Sequence, residues 1–258
     1  MLMTAFPSAA HEYWIEPLEF TLSVGDTLEA NLRVGQDFDG SNLSYIPRNF
    51  TRFELEIGGE AMPVDGRLGS KPALQAEVTA EGLAIAIHET TDSFLTYDEW
   101  ARFVRFVEHK DFVGVLDRHV ERGLPDVGFS ETYSRHVKSL VAVGNGEGQD
   151  HAFGMRTEFV ALANPYTDDV SNGLPVQLLL DGAPRADVQV ELWDRAPTGA
   201  VSVSVHRTDA AGEVILPVEG GHVYMADAVA MQEVDAEGPR NAVWRSIWAS
   251  LTFEVPAG

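Results

Sequence analysis

The sequence predicts a mainly β protein of two immunoglobulin-like β-sandwich domains, the first carrying an inserted helical hairpin. Three observations predict it. Short segments of alternating polar and apolar residues recur along most of the chain, divided by turns bearing Gly, Asp and Pro. One central stretch, 96–123, breaks that alternation and repeats its apolar residues at helical spacing. After Asn164-Pro165-Tyr166-Thr167-Asp168-Asp169, which has turn chemistry and no apolar period, a second series of evenly spaced strands begins. The expected division is a residual signal peptide at 1–10, a first sandwich at 11–163 with its helical insertion at 96–123, and a second sandwich at 170–258.

Taken in order, 19–22 and 27–34 alternate on either side of Val24-Gly25-Asp26 and predict an antiparallel hairpin. Residues 35–49 are rich in Asp, Gly, Ser and Asn and read as a long loop. Strands are expected at 52–57, 73–78 and 83–89. Thr96 with Glu99 has the spacing of a capping box, and Tyr97, Trp100, Val104 and Val107 then share a helical face. A second helix carries Phe112, Val115, Leu116 and His119 and stops at Gly123-Leu124-Pro125. Alternation returns at 133–143 and 154–162. In the second half, strands are expected at 176–180, 188–193, 201–207, 214–218, 222–231 and 246–255, with a mobile polar loop at 234–241.

Composition narrows the function. Apolar residues at 45% argue for a folded globule. A net charge of −22, from 40 acidic against 18 basic side chains, repels phosphate backbones, so nucleic acid is not an expected partner. No run approaches the ~18–20 apolar residues of a membrane span, so no membrane insertion is expected. The absence of cysteine removes thiolate nucleophiles, thiolate metal clusters and disulfides together.

Signatures of catalysis are missing. The chain has no Gly-x-Ser-x-Gly elbow, no phosphate-cradling Gly-Lys-Ser/Thr loop, and no His-x-x-x-His pair on a helix, so it is expected not to be an enzyme. Carboxylate pairs arise by chance in so acidic a chain. The loop from Asp37 to Asn42 resembles a calcium loop but has Arg48 where the closing glutamate belongs.

The remaining chemistry lies in nitrogen donors. Ser8 and Ala10 form the small-x-small pattern of a signal-peptidase site, and the apolar residues before them read as the end of a longer leader. Cleavage after Ala10 would make His11 the first residue, joining an α-amine to an imidazole, a pair that can chelate one borderline metal ion such as nickel, copper, cobalt or zinc. His109 and His119, on the two inserted helices, could face one another, and Glu12 or these histidines would complete the coordination sphere. The other histidines read as structural or solvent-exposed.

His11-Glu12-Tyr13-Trp14-Ile15-Glu16-Pro17 directly after a small-residue cleavage site resembles a family of secreted bacterial proteins that includes periplasmic components linked to nickel and cobalt uptake (the NikK type). Other stretches are similar to that family in the same order: Leu32-Arg33-Val34-Gly35 with Phe38 and Gly40, Asn49-Phe50 with Arg52-Phe53, Glu131 with Tyr133-Ser134-Arg135 and Lys138, Asn164-Pro165-Tyr166, and Trp248 to Glu254. The resemblance implies a periplasmic or secreted, non-catalytic protein that binds or delivers a transition-metal ion to a membrane transporter, with His11 as a ligand. It also implies a histidine near the end of the strand that closes at Met231, where this chain has Ala230-Met231. The competing expectation is a secreted adhesion or carbohydrate-binding module using Tyr13, Trp14 and Trp100 as a sugar platform. A copper oxidase would need a second histidine close to His11.

Overall fold

The computed structural model describes residues 11–258, so the expected leader at 1–10 lies outside the described residues. Strands take 52% of the chain and helices 8%. Along the sequence, β1 (Glu12–Pro17), β2 (Thr21–Leu22), β3 (Thr27–Gln36), β4 (Asp39–Leu43), β5 (Phe50–Ile57), β6 (Glu60–Pro63), β7 (Leu74–Glu77), β8 (Gly82–Thr90) and β9 (Ser93–Tyr97) precede helices α1 (Trp100–His109) and α2 (Val115–Glu121). Then follow β10 (Phe129–Val143), β11 (Thr157–Ala161), β12 (Leu174–Leu180), β13 (Ala183–Pro184), β14 (Gln189–Arg195), β15 (Val201–Arg207), β16 (Glu213–Leu216), β17 (His222–Glu237) and β18 (Ala242–Val255).

A ten-stranded sheet ordered β15-β14-β17-β18-β10-β8-β5-β6, with β2 and β9 also paired to β10, runs through the molecule. Its middle is the parallel pairing of β10 with β18, from Glu131 opposite Trp244 to Ser139 opposite Thr252. The ranges 11–163 and 170–258 therefore share one sheet. Two four-stranded sheets flank it, β1-β3-β4 with β7 and β11-β12-β13 with β16. They lie on opposite faces, because side chains alternate along each long strand. Leu140, Ala249, Leu251 and Phe253 pack under the β11–β12 sheet. Val137, Val141 and Val143 pack under the β1–β3 sheet. The helical insertion rests on the latter face, on Phe129, Trp244 and Trp248. Covered on both sides, β10 and β18 are buried almost throughout.

Local expectations fail where tertiary pairing outweighs pattern. Segments 19–22 and 27–34 do not form a hairpin with each other: β2 pairs in parallel with β10, and β3 pairs with β1 and β7. The turn at Gly25 carries the chain from one sheet to the next. The first part of the stretch 35–49 is a hairpin, with β3 and β4 joined through Asp37 and Phe38, both at φ 54°. Two consecutive left-handed residues make the tight hairpin turn. Phe38 tolerates that conformation because its ring is buried against Trp14, 5.5 Å between centroids. Gly35 and Gly40 face each other across this hairpin, where a Cβ on Gly35 would meet the Gly40 Cα at 2.4 Å. The capping box is absent: Glu99 is the N-cap, and the Thr96 hydroxyl lies 3.0 Å from that of Ser130 within the sheet. The loop expected at 234–241 is mostly the tip of the β17–β18 ladder, with Glu237 opposite Ala242.

Candidate metal centre

The site is built on β1. Tyr13 and Ile15 point into the core beneath the β1–β3 sheet. The alternate residues Glu12, Trp14 and Glu16 face the ten-stranded sheet at β14. There Trp14 packs with Trp193 and Met225, and Glu16 accepts from Arg195 Nη1 at 2.6 Å. The edge carbonyls of β1 are capped by side chains of β18: the Ser250 hydroxyl donates to Tyr13 O at 2.8 Å and the Thr252 hydroxyl to Ile15 O at 2.6 Å. Every residue of β1 is buried, which fixes Glu12 where water could not otherwise hold a charge.

Glu12 meets three charged partners there. Lys110, directly after α1, donates from Nζ to Asp227 Oδ1 at 2.8 Å and to Glu191 Oε2 at 2.9 Å, with Glu12 Oε1 at 3.4 Å. Glu12, Lys110, Glu191 and Asp227 are 4%, 6%, 2% and 1% exposed. The other oxygen of Glu191, Oε1, lies 3.2 Å from His109 Nε2 and also accepts from the Gln189 amide at 3.2 Å. The His109 side chain is 60% exposed and opens the cluster to solvent. One ligand atom from each of Glu12, His109 and Glu191 falls within 4.8 Å of the others, close enough to hold a single cation.

Three carboxylates lie within ion-pair distance of one ammonium, and Arg135 and Arg185 act on Asp227 as well. Burial, with the neighbouring Asp227 and Glu191, pushes the Glu12 carboxyl up to about 7, although Lys110 pulls the other way. Burial likewise raises Asp227. Burial pulls Lys110 down, yet Asp227, Glu191 and Glu12 together hold it above its ordinary value. A divalent ion among Glu12, His109 and Glu191 would favour the ionised form of the two carboxylates.

Among the residues proposed from sequence, Glu12 and His109 come together. His11 immediately precedes β1; its carbonyl accepts from Arg135 Nη2 at 2.7 Å, and its Nδ1 has no hydrogen-bond partner among the described residues. His119 is not in the group. It is fully buried, receives the Trp244 indole N–H on Nδ1 at 3.0 Å, and holds Pro125 O 3.1 Å from Nε2. That pairing makes it a neutral core histidine, and burial lowers its pKa. Tyr13 and Trp14 are buried and Trp100 packs on Phe103 and His119, so these rings form no surface platform. Met231 packs against the helical insertion.

Glu191, Asp227 and Lys110 are the residues that sequence reasoning missed. Each carboxylate sits between apolar neighbours, Val190 and Leu192 or Ala226 and Ala228. A charge at an inward strand position is the available signal, since ionised side chains are rarely buried unpaired.

Next to the cluster is a cavity of about 20 Å³, room for one water, bordered by Glu131, Tyr133, Arg135 and Trp248. Glu131 accepts from the Tyr97 hydroxyl at 2.6 Å and from the Ser246 hydroxyl. Burial pushes its carboxyl up to about 7. Arg135 lies over the rings of Tyr13, Tyr133 and Trp248.

Fold and site thus define a three-layered, mainly β protein with a histidine-bearing carboxylate cluster at the seam between its sheets. The chain belongs to the family described as a domain of unknown function (DUF4198), whose model matches residues 8–232. No curated protein matches it. Three solved structures show a distant similarity. A tetra-tandem repeat from the extending region of a large adhesion protein is 10% identical, with TM-score 0.23, over 95% of this chain and 50% of its own. This chain thus spans about half the length of that structure. The D0–D1 domain of intimin is 9% identical at TM-score 0.22, over 93% of this chain and 97% of its own. Dimeric latent PorU from Porphyromonas gingivalis is 11% identical at TM-score 0.19, over 93% of this chain and 20% of its own. Similarity this low carries no argument about function. Among the described residues no helix is long and apolar enough to cross a membrane.

Proposed function

We propose that this protein binds a divalent transition-metal ion of the nickel or cobalt class at Glu12, His109 and Glu191 and passes it on unchanged, acting in the periplasm or as a secreted protein that supplies a membrane transporter. The observation that carries this reading is the approach of one imidazole nitrogen and two carboxylates to within 4.8 Å of one another. Imidazole with carboxylate suits such ions, and copper and zinc would also enter. The gathering of three buried carboxylates around Lys110 supports a divalent occupant.

Isothermal titration of the protein beginning at His11 with nickel, cobalt, copper and zinc tests it. One equivalent of at least one ion should bind, and His109→Ala or Glu191→Gln should weaken that binding at least tenfold. No binding of any of the four, or equal affinity in both variants, would overturn the assignment.

A further inference from the structure

Lys110 stands in the wrong place for a site built to hold a cation tightly. Its ammonium shares Glu191 with the candidate ligand set, one oxygen facing Lys110 and the other His109. It also draws on Glu12. It cannot swing away. Its backbone N–H donates to Phe106 O at 3.1 Å, its stem is buried, and Nζ lies 5.1 Å from the centre of the Trp248 ring. Asp227 is outside the trio of candidate ligands and accepts from Lys110 at 2.8 Å, tethering the ammonium beside them. Charges a few ångströms apart in a buried site repel strongly, because little water screens them.

We propose that Lys110 is a fixed counter-charge that limits the site's affinity, keeping the bound ion exchangeable so that it can be handed on. The inference rests on the metal reading above. A site for permanent retention would gain by replacing this lysine with an apolar residue. Here a buried carboxylate outside the ligand trio holds it in place instead.

Two measurements test it. Zinc and nickel titrations of Lys110→Met, with its fold checked by circular dichroism, should show at least tenfold tighter binding than the native protein. Release to an excess of chelator should slow to match. The second measurement uses the native protein, which has three lysines, Lys71, Lys110 and Lys138. In a ¹⁵N-lysine spectrum, zinc should shift the Nζ resonance of Lys110 and leave those of Lys71 and Lys138 in place. If the native protein binds none of the four ions, the proposed function falls, and this inference with it. If it binds an ion while a folded Lys110→Met variant binds no tighter, only the inference falls. Should that variant fail to fold, the Nζ resonance decides: a shift on zinc binding supports the inference, and an unmoved resonance overturns it.

Discussion

Lys110 Nζ lies 2.8 Å from Asp227 Oδ1, joining the end of α1 to the centre of β17 across 117 residues of sequence, with both groups nearly sealed from solvent. This contact locks the helical insertion onto the ten-stranded sheet and turns three acidic strand positions into one site. Removing the cation leaves buried carboxylates uncompensated, which typically costs ~3–5 kcal/mol. Lys110→Met should therefore lower the urea midpoint of metal-free protein at pH 8. The loss should shrink toward pH 5, where the stranded carboxyls take up protons in the folded state. An unchanged midpoint at pH 8 would show that the cluster is not stabilised by its lysine.

Lys138 and Asp150 form a second buried pair, Nζ to Oδ1 2.6 Å, with neither side chain exposed. Asp150 also accepts from the backbone N–H groups of His151 and Ala161, each at 2.8 Å, so it pins the segment after β10 against β11. Asp150→Ala should destabilise by ~3–5 kcal/mol in denaturant titration, because a fully buried ammonium loses its partner. A change below ~1 kcal/mol would mean that water reaches Lys138 in the variant.

Glu131 provides a pH dependence of definite sign. Its carboxyl is pushed up to about 7 by burial against an ordinary value of 4.5, so between those values the folded state holds a proton that the unfolded chain has released. Stability from this group is fully present below pH 4.5 and declines by about 3 kcal/mol as pH rises to 7. Glu131→Gln should flatten this slope. Glu12 titrates across the same range, so the difference between native and variant stability curves isolates Glu131. Parallel curves from pH 4.5 to 8 would refute the assignment.

His88 acts in the opposite direction. It is buried among Phe50, Phe53 and Tyr13, and neither ring nitrogen finds a partner among the described residues. Burial, with a smaller effect from His136, pushes its pKa down to about 3. The unfolded chain takes up this proton near pH 6.5 and the folded protein does not, so stability falls as pH drops below 6.5, by about 2 kcal/mol at pH 5. His88→Leu should remove that loss, reading as a higher melting temperature than native at pH 5 and a smaller difference at pH 8. A variant equally or more destabilised at pH 5 would show that the imidazole is held by something other than packing.

Much of the β architecture was legible in the residues because alternation reports burial directly. The segments 83–89, 201–207 and 246–255 all lie within observed strands, and both inserted helices appear where apolar spacing required them. Glu12 and His109 could be singled out as candidate ligands because donor chemistry belongs to the residue itself. Partner choice was not legible. Nothing local tells β2 to join β10 rather than β3, or places Glu191 and Asp227, from two strands of the second half, around a lysine from the insertion.

By itself, the sequence determined the mainly β class, the helical interruption, the acidic surface and the supply of nitrogen and carboxylate donors. All of these depend on residue type and short-range period. Only the tertiary structure decided that both halves share one sheet, that His119 is a core residue, and that Glu12, His109 and Glu191 converge beside Lys110. Those outcomes depend on which strands pair across more than a hundred residues, and that choice is set by the whole buried surface and its few internal charges acting together.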